Sequence, residues 1–409
     1  MKEFFKVTDL NALFDFKSAF APVATETVPL SNALGRIPAR DIPAPLDLPD
    51  FRRATMDGFA VPAASTYGAS EGNPAYLSLR PPVAMGRPPD FNLNPGEAAR
   101  IATGGMLPDG ADSVVMVEHT DAIDDQTIEV VKSVAPGQHV VQIGEDVTKG
   151  EVLLRRGCLL RAQEIGLTAA FGMQAVSVYK SPVVGIISTG DEIVPIDQQP
   201  PPGKIRDINT HTLHAMTAAA GAVPQPLGIV KDDAGRLLAL CKKAFETCDM
   251  VLLSGGSSVG MRDFTMEVLD ALPNAAVLVH GISISPGKPT ILADVDGKPF
   301  WGLPGHVVSA MVVFHAAVRP FIDHIAGLEP STKRICFQRA RLTRNLSSVL
   351  GRVDYVRVRL TQAEDGLAAE PILGKSGLIN TMVKADGLLK IDKNTEGLDK
   401  DALVEVERI

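Results

Sequence analysis

Cysteine is scarce in this chain: four among 409 residues, Cys158, Cys241, Cys248 and Cys336, with no CxxC pair. That excludes a disulfide scaffold and a thiolate metal cluster, and it leads to the expectation of a reducing, cytoplasmic setting. Aromatic residues are also few, 15 Phe, 4 Tyr and a single Trp. The cores must therefore be mainly aliphatic, and base-stacking platforms are not expected. Positive charge does not predominate: 40 Lys and Arg face 48 Asp and Glu, a net charge of −8. Such a balance argues against nucleic acid or an anionic membrane as a partner. Long apolar runs are lacking too. The best stretch, Val307–Val318, carries a histidine and falls short of the ~20 residues a membrane span needs. The opening MKEFFKVTDL mixes charges of both signs and has no apolar signal core.

What is present is length and turns. At roughly 150 residues per domain, the chain has room for about three domains, and 36 Gly with 30 Pro predict many turns. Leu10, Leu13, Phe14, Ala19 and Phe20 recur at near-helical spacing before Pro22 ends the run. A proline-rich passage, IPAPLDLP at 42–49, leads into residues 50–140. There, turn signals and short β-type runs such as Ser113–Val117 and Ile128–Val131 predict a β-rich domain. Residues 141–180 contain a helical stretch, Ala162–Phe171, stopped by Gly172.

From Pro182 the pattern alternates. Strands are expected at 183–188, 227–230, 249–253, 276–279, 290–293 and 299–303. Helices are expected at 207–220, 233–247, 264–272 and 307–326. That order predicts a mostly parallel sheet with helices on both faces, mixed at one end by a hairpin-like connection. Beyond Pro330 the reading reverts to β. In Val353–Leu360, Val356, Val358 and Leu360 alternate with Arg357 and Arg359, the period of a half-buried strand. The segment 331–359 holds eight Lys and Arg but one acid, Asp354. The plain reading is a solvated face; the functional one is that some arginines meet an anion.

Three glycine-bearing turns leave predicted strand ends: Thr189-Gly190-Asp191-Glu192, Ser254-Gly255-Gly256-Ser257-Ser258-Val259-Gly260, and Pro304-Gly305-His306. In open α/β sheets the ligand crevice lies beyond the carboxyl ends of the strands, so these turns are expected to be neighbours. The second has the composition of an anion nest. Asp191, Glu192, Asp232, Asp233 and Asp263 cluster along the same edge. Acids beside a phosphate-type nest repel the ligand unless a cation intervenes, and oxygen-only donors point to Mg²⁺. The structural alternative is that Asp232 and Asp263 are helix N-caps. Lys288, held between Pro286-Gly287 and Pro289, has the stiffness expected of a lysine aimed at an anion. Competing nucleotide and metal motifs fail: GxxxxGK[ST], a strand–helix GxGxxG and HExxH do not occur. His211 and His214 lack a third ligand in sequence.

Seven motifs, in order, carry a resemblance: Thr55-Met56-Asp57-Gly58-Phe59-Ala60, Ile101-Ala102-Thr103-Gly104-Gly105-Met106-Leu107-Pro108, Gly144-Glu145-Asp146-Val147, Ser188-Thr189-Gly190-Asp191-Glu192, SGGSSVG with Asp263, Pro286-Gly287-Lys288-Pro289, and Gly302-Leu303-Pro304-Gly305. The set resembles the molybdopterin molybdenumtransferase family, that of MoeA and the gephyrin E-domain, over nearly the whole chain. The resemblance implies an α/β plus β fold: an elongated multidomain subunit, paired as a homodimer. It contains a three-layer α/β domain of the molybdopterin-binding type, a β-rich insertion domain and a C-terminal β-barrel-like domain. The expected boundaries are 1–45 with 141–180, 46–140, 181–328 and 329–409.

The implied activity is Mg²⁺-dependent cleavage of adenylyl-molybdopterin with insertion of molybdate into the dithiolene, releasing AMP. Transient contact with molybdopterin adenylyltransferase is a further implication. By position, Asp57, Thr103, Asp146, Glu192, Asp232 and Asp263 match the family's active positions, with Glu192, Asp232 and Asp263 toward the metal. Ser254, Gly255, Gly256, Ser257, Ser258, Pro304 and Gly305 would hold the pterin and phosphate end. Lys288, Ser309, Arg357 and Ser376 would hold molybdate. Asp57 and Thr103 of one chain are expected to complete the α/β pocket of the other. The chain departs from the family pattern at His306-Val307 (Asn-Pro), Ser285 (Lys) and Ser257 (Val). These departures leave open a paralogue specialised for tungstate; the gephyrin relative separately suggests a non-catalytic dimeric carrier or scaffold.

Overall fold

The computed structural model describes residues 7–255, 264–332, 336–364 and 366–409. The chain forms two compact units: residues 41–155 with 163–174, and the remainder, 1–40, 156–162 and 175–409.

The smaller unit is built on a six-stranded sheet. In spatial order its strands are Ser113–Met116, Gly58–Val61, Glu97–Ile101, Ala75–Arg80, Thr127–Val130 and Thr120–Ala122. Both faces are buried. Ala60, Ala99 and Ile101 point into one apolar cluster, while Phe59, Val61, Ala98 and Val115 enter another. Alternation along a strand sends successive side chains to opposite faces, which is why small alanines recur where both sides are covered.

In the larger unit the first segment begins as a short helix, Leu10–Leu13, and tightens into a 3₁₀ run, Phe14–Ala19. The single helix expected there is therefore split. Asp9 caps its start by accepting from the Asn11 amide at 2.9 Å, and Leu10, Leu13 and Phe20 are buried. Thr25–Pro29 then pairs antiparallel with Ala175–Tyr179.

The centre of this unit is the predicted alternating pattern. It runs β1 (Val183–Thr189), α1 (Asn209–Ala219), β2 (Val223–Val230), α2 (Ala234–Thr247), β3 (Met250–Ser254), α3 (Phe264–Ala271), β4 (Ala275–His280), β5 (Ile291–Val295) and β6 (Lys298–Leu303). The sheet order is β2-β1-β3-β6-β5-β4. The first four strands are parallel, and β5 enters antiparallel to both neighbours, the mixed end that the sequence pattern predicted. Ile186, Leu252 and Trp301 face a core shared with α1 and the last helix, α4 (Val307–Ile325). Ile187, Val251, Leu253 and Phe300 face α2 and α3. Helix, sheet and helix thus make three layers.

α4 fills the helix expected at 307–326, continuing past the apolar run Val307–Val318 through a π-helical turn, Phe314–Val318, to Ile325. It is thus long and apolar enough to cross a membrane by length and composition, yet 67% of it is buried inside the unit. Trp301 packs edge-on against its Phe321 at 5.1 Å. Its apolarity is explained by its position in the core.

The C-terminal part is a closed barrel of five strands. Its members are β7 (Phe337–Leu342), β8 (Val353–Ala363), β9 (Gly366–Pro371), β10 (Gly387–Ile391) and β11 (Leu403–Arg408). The ring runs β8-β9-β7-β11-β10 and returns to β8. The short strand Ile284–Ser285, from the α/β layer, pairs with Val353–Asp354 of β8.

Candidate functional site

Strand direction places the ends of β1, β3 and β6 on one edge, and backbone geometry draws their turns together. Gly255 adopts φ +104°, and a Cβ there would sit 2.2 Å from the Thr189 carbonyl oxygen. A Cβ on Gly305 would meet the Gly255 Cα at 3.7 Å. The three turns therefore touch, as their positions in sequence predicted.

Asn209, at the start of α1 and only 7% exposed, knits two of them. Its Nδ2 donates to Ser254 Oγ at 2.6 Å and to the Gly305 carbonyl at 2.8 Å. Behind it, Ser188 Oγ donates to the buried Asp207 at 3.0 Å and lies 2.9 Å from Thr210 Oγ1. Neither Asn209 nor Asp207 was singled out from the sequence. Their roles depend on contacts across 45 and 19 residues, and the only local signal is a polar start to an apolar helix.

The acids occupy the same edge. Asp232 accepts from Thr189 Oγ1 at 3.3 Å, and its amide donates to Asp191 Oδ1 at 3.3 Å. The helix-capping role belongs to its neighbour: Asp233 accepts from the Arg236 amide at 3.0 Å and is the N-cap of α2. Asp232, expected as a possible cap, is left facing the turn. Desolvation by its surroundings raises its pKa, and the negative charges of Asp191 and Glu192 raise it further. Glu192 folds back over Gly190, where a Cβ would lie 2.8 Å from its carboxylate.

The carboxylates of Asp191, Glu192 and Asp232 are oxygen donors of the kind a hard divalent cation such as Mg²⁺ takes, although Lys204 Nζ also reaches this turn, donating to the Asp191 carbonyl at 2.9 Å. Among the described residues no group of three or more His, Cys, Asp or Glu is assembled for a metal. Asp263, and with it Gly256, Ser257 and Ser258 of the glycine loop, lies outside the described residues, as do Lys333 and Arg334.

The raised pKa has a measurable consequence. A carboxyl held high in the folded state adds stability only while protonated, below its unfolded value, and that stability is lost as pH rises through the folded value. Asp232→Asn, in chelator, is therefore expected to raise the melting temperature at pH 7 and to lose that advantage as pH falls below ~4. A gain of equal size at both ends of the range would show that repulsion is not its source.

A second feature lies where the α/β layers meet the barrel. A cavity of about 510 Å³ is lined by Ile282, Ser285, Lys288, Ser309, Arg352 and Ser376, among others. Lys288 sits on a braced turn. Its carbonyl accepts from the Ile282 and Thr290 amides at 3.0 and 2.9 Å, and Thr290 Oγ1 donates to the Gly287 carbonyl at 2.7 Å. Gly287, at φ +126°, presses so close to α4 that a Cβ would fall 2.4 Å from Val313. The Lys288 side chain is exposed, and its ammonium has no hydrogen bond or ion pair among the described residues.

Arg357, the fourth residue expected with Lys288, Ser309 and Ser376, does not line the cavity. It is 8% exposed. Its Nη1 donates to Thr381 Oγ1 at 2.7 Å and its Nη2 to the Gly374 carbonyl at 2.9 Å, clamping both ends of the segment that carries Ser376. Its Nε has no partner among the described residues, and burial lowers its pKa. Arg339, on β7, pairs with Glu405 at 3.3 Å on the surface.

In the smaller unit, Asp57 Oδ1 accepts from the Thr103 amide at 2.7 Å and from its hydroxyl at 2.9 Å. These bonds lower its pKa. Asp146 is exposed there, its amide donating to the Leu48 carbonyl at 3.0 Å.

Comparison with known proteins gives a consistent result. Family models match in chain order: the MoeA N-terminal region (domain I and II) over residues 9–172, a "Probable molybdopterin binding domain" over 185–324, and the MoeA C-terminal region (domain IV) over 339–409. A molybdopterin molybdenumtransferase of Bacillus subtilis is 33% identical over 386 residues, covering 93% of this chain and 89% of that protein. Two solved structures of molybdopterin biosynthesis MoeA proteins from Pyrococcus horikoshii superpose over nearly their full lengths. One is 38% identical with a TM-score of 0.82, covering 98% of this chain and 99% of that one; the other is 30% identical with a TM-score of 0.85, covering 99% and 100%.

Proposed function

We propose, from the premise that this chain belongs to the molybdopterin molybdenumtransferase (MoeA) family, that it splits adenylyl-molybdopterin and transfers the metal of molybdate to the dithiolene, releasing AMP. The chain is a transferase of molybdenum cofactor biosynthesis. One observation carries the finer reading: the turn Pro304-Gly305-His306 touches both candidate subsites. Gly305 lies against Gly255 in the acid-edged crevice, and His306 lies 2.8 Å from Ser376 on the wall of the cationic cavity. Crevice and cavity are thus next to each other, as a reaction joining a phosphoanhydride to a metal oxyanion requires.

On this reading the turns beyond β1, β3 and β6 bind the phosphate end, with backbone amides and Ser254 as the donors. Glu192 and Asp232, with Asp263, would hold Mg²⁺, which would supply charge compensation for the phosphoanhydride. Asn209 fixes two of the turns at once. Lys288 supplies the positive charge for molybdate, and Ser309 and Ser376 supply hydroxyl donors, a donor set suited to a tetrahedral dianion. Arg357 braces the segment that presents Ser376.

The test is direct. Purified protein with adenylyl-molybdopterin, Mg²⁺ and molybdate should release AMP in step with active cofactor. The tungstate-specialised alternative predicts turnover with tungstate alone. No AMP above background with either oxyanion would reject the enzymatic reading and favour a carrier.

A further inference from the structure

His306 ends the turn after β6 and is the residue that precedes α4. Its Nδ1 lies 2.8 Å from Ser376 Oγ, across 70 positions of sequence, and the Val308 amide donates to the Ser376 carbonyl at 3.0 Å. The start of α4 therefore grips Ser376 by side chain and backbone, opposite Lys288 and beside the buried Ser309. The backbone bond fixes where Ser376 is. The imidazole decides what its hydroxyl does.

A hydroxyl has one proton and two lone pairs. If Nδ1 is bare, it accepts that proton, and Ser376 presents lone pairs to the cavity, which repel an oxyanion. If Nδ1 carries hydrogen, it donates to Oγ, and the hydroxyl proton is free to point at the anion. A bound dianion selects the second arrangement, because a donor facing it is stabilising and a lone pair is not.

We infer that His306 is a positioning residue for the oxyanion: by donating from Nδ1 to Ser376 Oγ, it turns the Ser376 hydroxyl into a donor aimed at the cavity that Lys288 and Ser309 line. The inference rests on the reading of this cavity as the molybdate subsite. Asparagine places an amide nitrogen near the position of Nδ1 and can donate in the same sense, whereas alanine and aspartate cannot.

Equilibrium binding of molybdate to the full-length chain, followed by calorimetry, tests it with Lys288→Ala, Ser376→Ala, His306→Ala, His306→Asn, His306→Asp and the double variant His306→Ala/Ser376→Ala. Thermal melts of each variant confirm folding. His306→Ala is expected to weaken binding about tenfold, the loss of one charge-directed hydrogen bond, and His306→Asn to recover to within about threefold of the parent. His306→Asp should bind worse than His306→Ala. The double variant should bind no more weakly than Ser376→Ala alone, since His306 acts only through that hydroxyl.

The inference is overturned if His306→Ala binds like the parent while Ser376→Ala does not. An undiminished penalty in the Ser376→Ala background would overturn it equally, as would failure of asparagine to rescue. If neither Lys288→Ala nor Ser376→Ala changes binding, the subsite reading itself fails.

Discussion

Replacing Lys288 with alanine is expected to lower kcat/KM for molybdate by about 30- to 100-fold, the loss of one charge-assisted contact worth roughly 2–3 kcal/mol. Stability should hardly change, because the ammonium has no partner among the described residues to lose and the turn is held by the backbone bonds of Ile282 and Thr290. Lys288→Arg should recover only part of the loss, since a planar fork on the same braced turn presents its donors along different lines than a point charge. The measurement is the molybdate dependence of AMP release. An unchanged KM with normal turnover in Lys288→Ala would remove the cavity from the mechanism.

The second large effect is steric. Gly255→Ala would place a Cβ 2.2 Å from the Thr189 carbonyl, at φ +104°. Both the collision and the backbone angle must be relieved by moving β1 and β3 apart at their ends, where Gly305 also sits. A cost of about 2–4 kcal/mol is expected, with turnover falling roughly a hundredfold as the turns separate by a fraction of an ångström or more. Gly203→Ala is the control. It also has positive φ, +85°, but a Cβ there meets nothing within 4 Å, so about 1 kcal/mol and normal turnover are expected. Denaturant unfolding and AMP release distinguish the two; equal losses at both glycines would show that the angle, not the contact between turns, is what matters.

These two residues show how far the sequence could be read. The α/β order, the mixed end of its sheet and the meeting of three turns were all legible. Each follows from local signals, apolar runs ending in glycine, combined with the handedness rules of parallel sheets. Lys288 stood out because prolines bracket it. Arg357 was legible only in part: alternation with Val356 and Val358 located it on a strand, but its burial and its grip on Gly374 and Thr381 depend on a loop folding over it. Asp232 and Asp233 are indistinguishable by spacing as caps, and the choice is made by where the backbone turns into α2. The His306–Ser376 contact, the pairing of Thr25–Pro29 with Ala175–Tyr179 and the roles of Asn209 and Asp207 were not legible. They join residues far apart in the chain, and no local period encodes such a contact.

The short strand Ile284–Ser285 has one more consequence. It belongs to the α/β layers by sequence and to β8 by pairing, and Lys288, which follows it, lines the same cavity as Gly351, Arg352 and Ser376 of the C-terminal part. On the proposed reading, the recess for the anion is thus a seam stitched by two modules and complete in neither alone. On the same reading, an excised α/β fragment would keep the contact among the Thr189, Gly255 and Gly305 turns and forfeit the C-terminal part's share of the anion's enclosure, so the two halves of the chemistry would be tied together by architecture before any substrate arrives.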